Sequence, residues 1–402
     1  MQGRAPAGLW RILVKLSALM MSNAIWSRSG YGTQSRQLLT RMAKDGHAVA
    51  VSANYGIEGM PIEWEGIAHF PRGGNMYNND VLPAYFQDWS FRNSGLTPIL
   101  MTLFDVWVLD SSVYDTATTV SWVPIDASPA PVGVAAFLRK PKVRPIAMSR
   151  FGEQQLLDAG IACTYIPHAI DTAVFKRTET VDIATQGPMS GRQIIGVGSD
   201  RFVVGCFNAN QDMTPSRKAW PEILLAFSVF ARTHPDAVIY LHTERHGANG
   251  GLKMDDLLQA VGIPDHQVTF VNQYAYRQGI PQEGIAALMS GCDVGLAPSY
   301  GEGFGLTVLE MQACGVRVIA NQASSQPELV GDGWLTDNQP YWVPHQQAWW
   351  KAPSVLSIVD CLEQAYDGPR GHSDKARAHA VGYDADLVYR QKWRPLFAEL
   401  GQ

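Results

Sequence analysis

Residues 299–315 read SYGEGFGLTVLEMQACG, and this stretch decides the fold. Gly303 and Gly305 admit backbone conformations closed to other residues and let a ligand approach the main chain. Leu306, Leu309 and Ala313 recur at helical spacing, which predicts a helix starting near Phe304. Its first amides lack partners inside the helix, and with the helix dipole they form a site for a phosphate. Glu310 is expected about two turns in, where an acceptor-only side chain takes hydrogen bonds from sugar hydroxyls. The plain alternative is that Glu302 is a helix N-terminal charge and Glu310 a solvated helix residue.

Context favours the ligand reading. Residues 293–298 (DVGLAP) read as a short buried strand, and GVRVIA after the helix reads as another. Strand, glycine loop, helix and strand form a βαβ unit whose acids stand at the carboxyl end of the first strand, where open α/β sheets bind ligands. A phosphate and two hydroxyl readers on one loop and helix suit a nucleotide sugar.

Outward from this unit the same alternation continues in both directions. Upstream, WRILVKLS (10–17), HAVAVSA, and the runs at 99–104, 119–125, 144–148 and 163–166 read as strands, with a helix over TQSRQLLTRMAKDG. A polar, Gly-rich stretch over 176–200 reads as a linker or extended connection. RFVVGCFNA, AVIYLHTE, QVTFVNQY, DVGLAP and RVIAN then form a second series, with Pro221 opening the helix PEILLAFSVFARTHP. The tail DADLVYRQKWRPLFAEL is amphipathic and helical up to Pro395, where a kink or break is expected. The expected architecture is α/β: two doubly wound domains facing across a cleft, spanning 1–180 and 192–383, with a final helix over 384–402.

Composition sets outer limits. The chain has 402 residues, 46% of them apolar and 17% charged, with a formal net charge of −5, so nothing overall calls for nucleic acid. Cys163, Cys206, Cys292, Cys314 and Cys361 are scattered and odd in number, the usage of a reducing compartment, so a cytoplasmic location is expected. The apolar start LWRILVKLSALMM is broken by Arg11 and Lys15 and is too short to span a bilayer.

Several other motifs could carry chemistry. Gly30 and Gly32 in SRSGYGTQSRQ precede a helix, where a structural turn and a phosphate contact are both open readings. NANQDMTPSRKAWPE sets Arg217 and Lys218 at the mouth of a strand. A guanidinium fork and a mobile ammonium there suit a diphosphate whose charge grows as it leaves. Asp384 and Asp386 spell the DxD pattern of metal-dependent sugar transferases. They also open a helix, and N-capping is the preferred reading. No other cluster has metal-ligand spacing, so no metal is expected. Arg139, Lys140, Lys142 and Arg144 in FLRKPKVRP form a basic group that either contacts a membrane surface or decorates a solvated helix end.

Together these motifs resemble the retaining family-4 glycosyltransferases of the GT-B fold, over nearly the whole chain. SGYGTQSRQLLTRMAKDGHAVAV resembles their glycine loop and first helix. SRFGEQQLLDAG with YIPHAIDTAVF resembles the end of their first domain, and Glu302 and Glu310 show the E-x7-E spacing. The resemblance implies that Glu310 reads the ribose of the donor and Glu302 contacts the transferred sugar. It implies further that Arg217 and Lys218 hold the diphosphate, with the backbone around Gly303, Phe304, Gly305, Leu306 and Thr307. Gly30 matches the glycine that approaches the donor phosphates.

Two departures stand out. Relatives place a His after the fifth strand where this chain has VPIDASPAP, making Asp126 the nearest candidate, and an ionised aspartate accepts but does not donate. His168-Ala169 replaces an Asn-Gly before Asp171, and these are read as structural. The implied activity is transfer from a UDP- or GDP-type nucleotide sugar to an unidentified acceptor, with retention and without a metal or other cofactor. A nucleotide-sugar epimerase or hydrolase, or a non-catalytic donor-binding subunit, are the competing readings.

Overall fold

The computed structural model describes residues 15–183, 187–212, 214–248 and 250–401. Its first sheet holds β1 (Leu16–Ser22), β2 (Ala48–Ala53), β3 (Ile62–Trp64), β4 (Ile67–Phe70), β5 (Thr97–Leu103), β6 (Thr119–Val123), β7 (Val143–Ala147) and β8 (Thr164–Tyr165). The order is β3-β4-β2-β1-β5-β6-β7-β8, parallel throughout except for the antiparallel β3–β4 pair at one edge. All seven side chains of β1 are buried, as a strand covered on both faces requires. The strand expected over 10–17 begins at Leu16; residues 10–14 of that expectation lie outside the described residues, and LSALMMS is the buried run.

The stretch expected as a linker over 176–200 carries structure of its own. A small hairpin pairs β9 (Val181–Ile183) with β10 (Gly187–Met189), and the helix Gly191–Ile195 follows. That helix starts on a capping box, with the Ser190 side chain accepting from the Gln193 amide and Gln193 reaching back. Local hydrogen bonding, not apolar periodicity, specifies this helix, and so the composition concealed it.

The second sheet, in the order β13-β12-β11-β14-β15-β16, is parallel throughout. Its strands are β11 (Phe202–Cys206), β12 (Ala237–Leu241), β13 (Val268–Phe270), β14 (Val294–Ala297), β15 (Arg317–Asn321) and β16 (Gly333–Thr336). Ile223, Phe227 and Phe230 of the helix Trp220–Phe230 are fully buried against it, as their spacing predicts. An antiparallel hairpin, β17 (Asn338–Val343) with β18 (Ala348–Pro353), then leaves this sheet for the first domain. There Ser128 and Trp349 exchange both backbone hydrogen bonds, at 3.0 and 2.8 Å.

The chain end returns to the first sheet. Trp393 stacks edge-on to Trp122 at 4.9 Å, Arg144 forks onto Glu399 at 2.8 and 2.9 Å, and Arg394 forks onto Asp45 at 2.6 Å through both nitrogens. The break expected at Pro395 does not occur. One π turn over Tyr389–Trp393 precedes Pro395, which sits in the first turn of the helix Arg394–Leu400, where its missing N–H costs nothing.

Each sheet reverses strand order once: between β1 and β5 in the first, between β11 and β14 in the second. These are the topological switch points where doubly wound sheets bind ligands. The four loops that leave them converge on one cleft.

Candidate active site

From the second domain, the loop after β11 supplies Arg217 and Lys218, and the loop after β14 supplies Glu302. The two loops are joined where the Tyr300 amide donates to the Arg217 carbonyl at 2.9 Å. Ala219, next to the basic pair, holds a φ of 57°, a left-handed turn that a non-glycine residue adopts at a cost. It lets the Trp220–Phe230 helix start immediately behind Lys218.

Glu302 is held by both bases. Lys218 Nζ donates to Oε1, and Arg217 lies 3.3 Å from Oε2 while also donating to the Gly301 carbonyl at 2.7 Å. Burial pushes the Glu302 carboxyl up, but the two cations outweigh it and hold the group at about 2. Burial lowers Lys218, with Glu302 opposing, while Arg217 stays raised because Glu302 and Asp126 more than offset its burial. The sequence presented these residues as separate readers, yet without a ligand they neutralise one another.

Gly305 sits at φ 107° as the N-cap of the helix Leu306–Ala313, so the predicted glycine conformation is found there. Gly303 has a different reason to be glycine: a Cβ at that position would stand 2.5 Å from Pro124 Cβ in the first domain. Glu310 lies one turn into the helix, closer than the two turns expected from a start at Phe304. Burial alone pushes its carboxyl up to about 7. Thr307 Oγ1 donates to the Phe207 carbonyl at 3.2 Å, fixing the first turn over β11. Phe304 packs into the domain interface, 5.2 Å from the His168 ring.

From the first domain, Gly30 and Gly32 lie in the first turn of the helix Gly30–Lys44, capped by the Ser29 side chain. A Cβ on Gly30 would meet Leu306 Cδ1 at 3.6 Å, so the two helix N-termini face each other in contact range. Asp126 follows β6, and burial pushes its carboxyl up, with Arg217 acting in the opposite sense. His168 is buried between Trp122 and Phe304, its pKa lowered by burial to about 3, and its Nε2 has no hydrogen-bond partner. Glu328 of the second domain accepts from the Arg150 amide of the first at 2.8 and 3.0 Å.

Sequence reasoning missed three features of the cleft. Asp105, just after β5, accepts from Tyr31 Oη at 3.3 Å; its place at a strand end by the switch point was a usable signal. Phe207, His242 and Tyr276 form an aromatic wall, with Phe207 and His242 stacked at 5.1 Å. His345, at the turn of the β17–β18 hairpin, stands 6.5 Å from Trp107 across the cleft and has no local sequence signature.

Two other groups do something other than bind ligand. The Asp384 side chain accepts from the amides of Asp386 and Leu387, and Asp386 pairs with Arg41, so the DxD pair caps a helix. The basic group over 139–144 is partly paired within the protein. Lys140 pairs with Asp115, Arg144 with Glu399, and Arg139 donates to the Ala159 carbonyl at 2.8 Å, while Lys142 stays exposed.

The fold and these loops define the GT-B architecture. Over 96% of its length the chain superposes on sucrose-phosphate synthase from Thermosynechococcus elongatus, covering 100% of that chain with a TM-score of 0.70 at 16% identity. It also superposes on Anabaena HepE crystallised with UDP and glucose, covering 94% of this chain and 99% of that one, with a TM-score of 0.67 at 17% identity. Residues 212–354, which hold Arg217, Lys218, Glu302 and Glu310, match the family model of glycosyl transferases group 1. A D-inositol 3-phosphate glycosyltransferase from Arthrobacter sp. (strain FB24) is 30% identical over 173 residues, 40% of this chain and 36% of that protein. O-antigen chain mannosyltransferase B of Escherichia coli is 41% identical over 56 residues, 14% of this chain and 15% of that protein. The aligned part of the chain thus spans about a third or less of these curated relatives.

Proposed function

We propose that the protein transfers a sugar from a nucleoside diphosphate sugar, of UDP or GDP type, to an acceptor hydroxyl or amine, with retention at the anomeric carbon, as a family-4 enzyme. One observation carries this reading: Arg217, Lys218, Glu302 and the N-terminus of Leu306–Ala313 converge at one switch point and face the other across the cleft. The two cations and the free helix amides receive the diphosphate and stabilise its charge as it leaves. Glu310 takes the ribose hydroxyls one turn further in. Glu302, released by Lys218 and Arg217 as the diphosphate arrives, takes hydroxyls of the sugar. The charge of the leaving group is met by the chain's own cations, so the reaction as proposed needs no metal. The superposition on a UDP and glucose complex supports a UDP-type donor.

We also propose a cytoplasmic location. Five unpaired cysteines, four of them buried, support it. Among the described residues no helix is long and apolar enough to cross a membrane.

The test is turnover in Glu302→Ala and Lys218→Ala, each checked for an intact fold by thermal melting, after UDP, GDP and their sugars have been screened for stabilisation. A nucleotide at about 100 times its Kd raises stability by about 2.7 kcal/mol. Full activity in both variants defeats the assignment. Rapid donor conversion without any acceptor favours an epimerase or hydrolase, and donor binding without turnover favours a binding subunit.

A further inference from the structure

Glu302 stands between Gly301 and Gly303, and both neighbours have to be glycine. A Cβ would lie 2.4 Å from the Asp126 carbonyl at the first position and 2.5 Å from Pro124 Cβ at the second. This close approach to the first domain leaves the acid between the two residues of the loop with the greatest backbone freedom. Its own backbone is nonetheless held on both sides, and by a single turn that follows β15. The Ser324 hydroxyl accepts from the Glu302 amide at 2.8 Å, and the Ser325 hydroxyl donates to the Glu302 carbonyl at 2.9 Å.

Neither serine follows its local preference. Ser324 holds a φ of 48°, in the left-handed region where a Cβ is crowded and glycine or asparagine is the usual occupant. Ser325 precedes the short helix Gln326–Leu329, a position where a serine side chain ordinarily caps a free amide. It makes no such bond, and its proton is shared between the carbonyls of Glu302 and Phe304. Among the described residues five non-glycine positions have a positive φ, and two of them, Ala219 and Ser324, flank the Lys218–Glu302 pair. Strain of this kind persists only where the surroundings over-determine it, and it gathers at working sites.

Resting on the transferase reading above, we propose that Ser324 is a positioning residue of the donor site. It fixes the Glu302 backbone so that the carboxylate, on leaving Lys218 and Arg217, meets the hydroxyls of the transferred sugar. A carboxylate that changes partners swings about its side-chain torsions, and it reaches the second partner in hydrogen-bonding geometry only if its Cα stays in place. Ser325 holds the carbonyl side of the same residue. A glycine at 324 would adopt the observed backbone more easily but would leave the Glu302 amide unheld, so the hydroxyl is what the strained serine contributes.

The experiment uses the full chain and calorimetry to compare the Kd of a nucleoside diphosphate with the Kd of its sugar, using UDP with UDP-glucose or GDP with GDP-mannose, whichever pair binds the wild type. In Ser324→Gly and in Ser324→Ala the nucleotide sugar should weaken about tenfold relative to the diphosphate, the size of one hydrogen bond to a charged group. The diphosphate alone should bind as well as before or tighter, because Glu302 competes with it for the cations. Ser324→Gly should melt above Ser324→Ala, since glycine takes this φ without strain, yet the sugar preference should fall in both alike. Added to Glu302→Ala, Ser324→Gly should change the preference no further. The proposal is overturned by an unchanged preference in Ser324→Gly, by its recovery in the glycine variant together with stability, by equal weakening of both ligands, or by a full effect in the Glu302→Ala background. A wild type that binds neither diphosphate, or a Glu302→Ala that keeps the wild-type preference, overturns the donor reading before any serine variant is measured.

Discussion

The carboxyl of Glu310 offers a quantitative test of the donor site. Burial pushes it up to about 7. In the free protein at pH 7 about half of the molecules carry a proton there, and at pH 6 about nine in ten do. Ribose hydroxyls donate only to the ionised form with full strength, so a donor that binds must displace that proton. Affinity for an intact nucleotide sugar should therefore fall about tenfold between pH 8 and pH 6, or about 1.4 kcal/mol. A nucleotide sugar is the right probe, because its diphosphate is esterified at both ends and does not titrate in this range. Calorimetry at pH 7 in two buffers of different ionisation enthalpy should report release of about half a proton per donor bound. Glu302, held at about 2, stays ionised throughout and adds nothing to the slope. Glu310→Gln should bind more weakly at pH 8 and lose the slope. A flat profile in the wild type, or an unchanged slope in Glu310→Gln, refutes the assignment. Without ligand the same group weakens the fold: its native pKa exceeds the unfolded value of 4.5, so its contribution falls as pH rises from about 4.5 to 7.

Other consequences follow from single contacts. Gly303→Ala places a Cβ 2.5 Å from Pro124 Cβ, which should hold the domains apart; small-angle scattering should show a larger radius of gyration, and turnover should fall about tenfold or more while melting stays cooperative. His168 is buried and neutral with its pKa lowered to about 3, so the native state refuses a proton that the unfolded chain accepts below about 6.5. The stability it supplies is lost as pH falls through that window, up to about 2 kcal/mol by pH 5, and His168→Phe should narrow the difference in melting temperature between pH 7.5 and pH 5. Asp45→Asn loosens the fork from Arg394 and the bond from Tyr389 at 2.9 Å, and chemical denaturation should register about 1 kcal/mol.

The fold was legible where apolar runs and turn residues agree. The DVGLAP strand, the GFG loop and the LTVLEMQA helix each carry a local signal, and so do the Pro221-initiated helix and the Asp384 cap. What stayed hidden depends on partners distant in sequence. Nothing near Glu302 announces that Lys218, 84 residues away, sits on its carboxylate. Gly303 was assigned a conformational role, yet its need is steric and comes from Pro124 in the other domain. The basic run at 139–144 looks like a free patch in the sequence, because Asp115 and Glu399, which neutralise part of it, lie in other elements. The Gly191–Ile195 helix was readable in principle from Ser190 and Gln193, but too short to show a period.

In the proposed transferase reading, the pairing inside the cleft also bears on how the protein avoids binding stray anions. Two half-buried cations at the mouth of a parallel sheet, with a helix N-terminus beside them, would attract any phosphate. Here Glu302 already occupies them, so an incoming anion must displace a carboxylate that they hold at about 2. A monophosphate gains contact with the cations but leaves Glu302 buried and without its counter-charges, an expensive state. A nucleotide sugar brings hydroxyls on the transferred ring that donate to the freed carboxylate, and ribose hydroxyls that donate to Glu310. The complete donor therefore satisfies every charge that it disturbs, and fragments of it do not. Selectivity in this arrangement comes from what the protein must give up to bind. In the same reading the E-x7-E spacing has a physical purpose: Glu302, in the loop, guards the cations until the sugar arrives, and Glu310, one turn into the Leu306–Ala313 helix, holds the ribose.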